Sequence, residues 1–251
     1  MNPARKARRF FYFTALRIRC RKFKESQGSV NVGDLDLFYT VRGPESGRPV
    51  LLLHGNGGSH RSLATQSLQL ARAGYRVYSP DSRGQGANPA LEEYHYADMA
   101  EDFYQFILKM GLDKPAVFGW SDGGINALLL EMAHPGVCGP MVVSGANLQP
   151  DCGPDFEEFK KWILSEGTPL AMMMLTEPDI DPSSLKAVKC PVLVTAGRKD
   201  LISPEHTALI AKSLPDSELV ILEGEDHGSY IKKSPKIGAL MLDFFKRHDY
   251  D

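Results

Sequence analysis

Near the middle of the chain, Gly119-Trp120-Ser121-Asp122-Gly123 places a serine between two glycines, where an apolar run meets a helix-like run. A serine hydroxyl is a weak nucleophile that needs a base within hydrogen-bond reach. It is well presented on a sharp, strained strand-to-helix turn, and glycines at the flanks let the neighbouring elements close on that turn. By itself the pentapeptide also suits a plain turn with an exposed serine. The residues downstream raise it above that.

Two polar groups follow in a telling order. The apolar run Val192-Leu193-Val194-Thr195-Ala196 leads into Gly197-Arg198-Lys199-Asp200, and the last strand-like run leads into Gly224-Glu225-Asp226-His227-Gly228. An acid and then a base on loops after late strands is the order that accompanies such a turn. Both fall at strand C-termini, where ligand groups of open α/β sheets gather. The chemistry this predicts is acyl transfer, with Ser121 as nucleophile, His227 as general base and Asp200 orienting the imidazole.

Each role has rivals. There are seven histidines. His60, His95, His134, His206 and His248 fall on predicted helices or their edges, where solvated or packed roles are expected, and His54 is placed to order the loop that follows it. Asp226 adjoins His227, but adjacent side chains on a loop diverge, which favours Asp200. For the developing oxyanion the expected donors are the backbone N–H groups of Asp122 and Asn56, with Gly57 second to Asn56. The loop His54-Gly55-Asn56-Gly57-Gly58 could instead cradle phosphate, but no Lys-Ser or Lys-Thr pair follows it.

Positioning these groups requires a sheet. From residue 29 the chain alternates strand-like and helix-like segments, as a mostly parallel sheet with helices on both faces requires. Strands are expected over 34–41, 49–53, 75–79, 115–120, 141–143, 191–196 and 218–222, with helices over 59–73, 98–110, 122–133, 204–213 and up to 245. The alternation breaks over 149–189, a stretch of roughly 40 residues and too long for a routine connection, so a small cap is expected there. Within it Phe156, Phe159 and Ile163 recur at helical spacing beside Trp162, and Met172-Met173-Met174 follows. Trp120, Asp122, Trp162 and Met173 are the candidate substrate contacts. Asp122 has two readings: a carboxylate that pairs with a substrate ammonium, or a helix-start acid favoured by the macrodipole.

Composition sets the limits. The 251 residues, 43% hydrophobic and 24% charged, suit an ordinary globular chain. The four cysteines have no metal-type spacing, which points to free thiols in a reducing cytoplasm and to chemistry without a metal or organic cofactor. Nine basic residues precede Glu25, the first acid, and the remainder carries 20 basic against 31 acidic residues. An acidic body argues against nucleic-acid binding. The basic, aromatic arm of residues 1–28 has an apolar run too short to span a bilayer. Weak contact with an anionic membrane surface, a disordered arm and a helix packed on the domain are the readings left open.

Together His54-Gly55-Asn56-Gly57-Gly58, Asp81-Ser82-Arg83-Gly84-Gln85-Gly86, the Ser121 pentapeptide with Gly124, Gly197-Arg198-Lys199-Asp200 and Asp226-His227-Gly228 resemble the α/β-hydrolase superfamily. The resemblance runs from about residue 30 to the C-terminus. The Trp-Ser-Asp elbow is similar to that of the valacyclovir hydrolase-like branch, which cleaves amino-acid esters. It implies one domain over residues 29–251 and two-step hydrolysis of a small or medium carboxylic ester through a Ser121 acyl-enzyme. Carbon–carbon bond hydrolysis, perhydrolysis and non-catalytic ligand binding are the alternatives.

Overall fold

Alternate residues of the apolar runs face opposite ways, and the sheet they form is buried on both sides. The computed structural model describes residues 23–251. Among the described residues, eight strands form one sheet in the order β1-β2-β4-β3-β5-β6-β7-β8. They are β1 (Ser26–Asn31), β2 (Asp36–Arg42), β3 (Pro49–Leu53), β4 (Arg76–Pro80), β5 (Ala116–Trp120), β6 (Met141–Ser144), β7 (Val192–Lys199) and β8 (Ser217–Asp226). β1 and β2 pair antiparallel, as do β2 and β4; every other pairing is parallel.

The helices are α1 (Ala64–Ala73, after a 3-10 turn at His60–Leu63), α2 (Tyr96–Lys109), α3 (Asp122–Ala133), α4 (Phe156–Glu166), α5 (Pro169–Met173), α6 (Pro204–Ser213) and α7 (Lys236–Arg247). Leu51, Leu53, Val117, Val143 and Val194 pack with residues of α2, α3 and α6 on one face. Val50, Leu52, Phe118, Val142 and Leu193 pack with α1 and α7 on the other. Parallel strands covered on both faces are near-continuously apolar, which is why these runs carry no polar alternation. No helix among the described residues is long and apolar enough to cross a membrane.

Two expectations change. The boundary at residue 28 falls inside β1, whose Ser26 already pairs with Val41. The sequence of β1, Ser-Gln-Gly-Ser-Val-Asn, lacks apolar alternation because it is a largely exposed edge strand. β8 also runs on to Asp226, past the expected end at Leu222. The stretch 149–189 lies between β6 and β7 and holds α4, α5 and a 3-10 turn at Pro182–Ala187. Most of the basic arm, with its proposed membrane contact, lies outside the described residues.

Candidate active site

The turn after β5 is forced by what surrounds it. Ser121 has φ 57° and ψ −124°, a conformation L-residues rarely hold. Its N–H donates to Ser144 O on β6 (2.8 Å), so the sheet grips the turn from one side. A Cβ on Gly119 would meet Gly123 O at 2.1 Å, and one on Gly123 would meet Leu53 O at 2.1 Å. Both flanking positions therefore require glycine for contact with backbone that cannot move aside.

The three groups expected to act together are joined by hydrogen bonds. His227 Nε2 lies 3.0 Å from Ser121 Oγ, and His227 Nδ1 lies 2.6 Å from Asp200 Oδ1. Asp200 is buried; its Oδ1 also accepts from Ile202 N (3.1 Å) and its Oδ2 from Gly197 N (3.3 Å). With Nδ1–H given to the carboxylate, Nε2 is left to accept the serine proton. Asp226 is engaged elsewhere, accepting from Gly228 N and Ser229 N, both at 2.8 Å.

The loop bearing His227 is fastened to the sheet in two places. Trp120 Nε1 donates to His227 O (2.9 Å). Tyr230 Oη bonds Ser144 Oγ (2.7 Å) at the end of β6, and Ser144 Oγ accepts in turn from Thr195 Oγ1 (2.9 Å) of β7. Tyr230 is fully buried, and burial raises the pKa of its phenol. Gly145, at φ 59°, leaves the room the imidazole occupies: a Cβ there would meet His227 Nδ1 at 3.0 Å. Sequence reasoning passed over Gly145 and Tyr230, whose roles depend on strands far apart in the chain.

His54 orders the loop after β3 as expected. Its Nδ1 donates to Gly55 O (2.8 Å) and its Nε2 accepts from Ser82 N (3.0 Å). Burial lowers its pKa, which suits a neutral ring with one donor and one acceptor. Gly57 N–H is consumed by Gln85 Oε1 (2.9 Å), so of the two candidate donors Asn56 is the better placed. The side chains of Asn56 and Asp122 meet, with Asn56 Nδ2 donating to Asp122 Oδ2 (2.8 Å). Burial pushes the Asp122 carboxyl up to about 6, against the opposing hydrogen bonds of Asn56 and Tyr96.

A narrow cavity of about 60 Å³ opens over Ser121. Its lining is apolar at Phe156 and Phe159 of α4, Met174, Leu201 and Ile202, and polar at Tyr96, Asp122, Asn147, Asp155 and Glu177. Of the four expected substrate contacts only Asp122 lines it. Trp120 alternates to the far face of the sheet with Ala116 and Phe118, and serves the His227 loop instead. Trp162 lies on the flank of α4, 47% exposed and stacked on Phe159, while Ile163 takes the buried position. Met173 is buried in the core, and its neighbour Met174 faces the cavity. Glu177, which the sequence did not single out, accepts from Tyr96 N (3.0 Å) and bonds His95 Nδ1 (2.5 Å), tying this insertion to the start of α2.

A family model described as alpha/beta hydrolase fold matches residues 48–173. The chain is 26% identical to the human serine hydrolase BPHL over 253 residues, covering 88% of this chain and 87% of that protein. It is also 26% identical to a thermostable monoacylglycerol lipase of Bacillus sp. strain H-257, covering 84% and 94%. Among solved structures, 2-hydroxy-6-oxo-6-phenylhexa-2,4-dienoate hydrolase from Rhodococcus sp. strain RHA1 superposes with a TM-score of 0.73 at 21% identity. That superposition covers 90% of this chain and 100% of the other.

Proposed function

The chain belongs to the α/β-hydrolase fold family, and on that premise we propose that it is a serine hydrolase cleaving a small or medium carboxylic ester. The observation that carries this reading is the hydrogen-bonded line Ser121–His227–Asp200, whose Ser121 and His227 line a mostly apolar cavity. Ser121 Oγ attacks the ester carbonyl as His227 Nε2 takes its proton, giving a tetrahedral intermediate. Asp200 stabilises the imidazolium, and the backbone N–H groups of Asn56 and Asp122 receive the oxyanion. His227 then protonates the departing alcohol, and water repeats the sequence in reverse to free the acid and Ser121.

The relatives named as a serine hydrolase and a monoacylglycerol lipase support an ester substrate, and the elbow favours the valacyclovir hydrolase-like branch. The lining narrows the class further. Asp122, Asp155 and Glu177 line the cavity, and no Lys or Arg does so among the described residues. Such a wall favours neutral or cationic esters over anionic ones. Carbon–carbon bond hydrolysis of an anionic substrate, such as the dienoate in the Rhodococcus enzyme's name, suits it less well.

Labelling with a fluorophosphonate probe, followed by mass spectrometry, tests the reading. One adduct on Ser121, absent from Ser121→Ala, is expected. Folded protein without an adduct would move ligand binding without turnover ahead of hydrolysis.

A further inference from the structure

We infer that Asp122 is a positioning residue for the oxyanion site: its carboxyl, bonded to the Asn56 side chain, fixes the spacing of the two backbone N–H donors. The inference rests on the acyl-enzyme reading and deepens it. The two donors come from separate strand ends, Asn56 after β3 and Asp122 after β5. At their base these segments are locked. A Cβ on Gly55 would meet Ser121 Cβ at 3.0 Å, and Gly123 rests against the backbone of Leu53 and His54.

The tip of the Asn56 loop has less support, a single backbone bond from Gly58 N to Gly55 O (3.0 Å) closing the turn. Gly57 has φ 63° and nothing within 4 Å of where a Cβ would lie, so no neighbour packs against that side of the turn. Two side-chain tethers hold it: Gln85 Oε1 on Gly57 N, and the Asn56 Nδ2 to Asp122 Oδ2 bond. The second joins the very residues that carry the donors. A bond to Leu170 O (3.4 Å) is longer and secondary. Asp122 is only 4% exposed, and a carboxylate is costly to bury without such partners. The neighbouring Tyr96 hydroxyl also favours the charged form of the carboxyl. This arrangement needs an acceptor at position 122 rather than a charge. That separates it from both readings of the sequence, the substrate-ammonium partner and the helix-start acid.

The test uses kcat and KM on a neutral nitrophenyl ester for wild type, Asp122→Ala, Asp122→Asn, Asn56→Ala and the Asn56→Ala/Asp122→Ala pair. Loss of one oxyanion donor costs about 10²–10³-fold in kcat, so a loosened donor should cost about 10- to 100-fold with KM little changed. Asn56→Ala should match Asp122→Ala, and the pair should be no worse than either, as for groups acting through one contact. Asp122→Asn keeps an acceptor oxygen and should recover most of the lost kcat. If Asp122→Ala does not fold, Asn56→Ala alone decides, since a wild-type kcat there overturns the proposal. So would additive losses in the pair, or an Asp122→Asn variant as slow as the alanine. A wild type that neither turns over esters nor labels at Ser121 overturns hydrolysis and positioning together; a reactive wild type with indifferent variants overturns positioning alone.

Discussion

Asp200→Asn is expected to lower kcat for an ester by about 10⁴-fold with little change in fold. The reason is directional. Asp200 receives three N–H groups, from Ile202, Gly197 and the His227 ring. An asparagine NH₂ in place of Oδ1 opposes both Ile202 N–H and the ring N–H, and in place of Oδ2 it opposes Gly197 N–H. The ring is the one that can answer by changing tautomer, because the other two are backbone amides. His227 would then carry its proton on Nε2, facing Ser121 Oγ, and could no longer accept from it. No second acid can step in, since the Asp226 carboxylate is held by its own loop. Steady-state kinetics beside a thermal melt would check this. A loss below about tenfold at unchanged melting temperature would remove Asp200 from the orienting role.

Gly123→Ala is expected to damage the fold itself. The new Cβ would lie 2.1 Å from Leu53 O and 2.8 Å from His54 O, and both carbonyls belong to the end of a central strand. Relief requires α3 to move off β3, which unseats Ser121 and separates the two proposed oxyanion donors. Overpacking of this kind costs about 1–3 kcal/mol, more where the obstacle is backbone. At about 2–4 °C per kcal/mol for a chain of this size, a melting temperature lower by roughly 5–10 °C follows. Activity should fall further than stability, because the turn is displaced even where the protein stays folded. A variant melting with the wild type would contradict the close approach.

Much of this is legible in the sequence. Ser121, Asp200 and His227 each sit at the end of an apolar run within a short motif, so local pattern and chain order were enough to place them. The wall of the cavity was not legible in the same way. Whether Trp120 faces the substrate or the His227 loop depends on the phase of β5 relative to the sheet. A run of three methionines cannot say that Met174 faces the cavity and Met173 the core. That depends on how a short helix docks after an irregular stretch. β1 was invisible because an edge strand exposed on most of its length needs little apolar patterning. Tyr230 and Gly145 escaped because their purpose appears only when β6, β7 and the loop after β8 come together.

The sheet order has a consequence for how activity survives stress. Ser121 rides on β5, with partners on both sides, whereas His227 follows β8, which pairs with β7 alone at the margin of the sheet. Outer strands open locally at lower free energy than interior ones, in cooperative units with the helices packed on them. The proposed nucleophile and base thus sit in regions of unequal protection. Slow hydrogen exchange is expected for β5 and β6, and faster exchange for β8 with α7. In rising urea, turnover should fade before circular dichroism changes, and return without a refolding lag when the urea is diluted away.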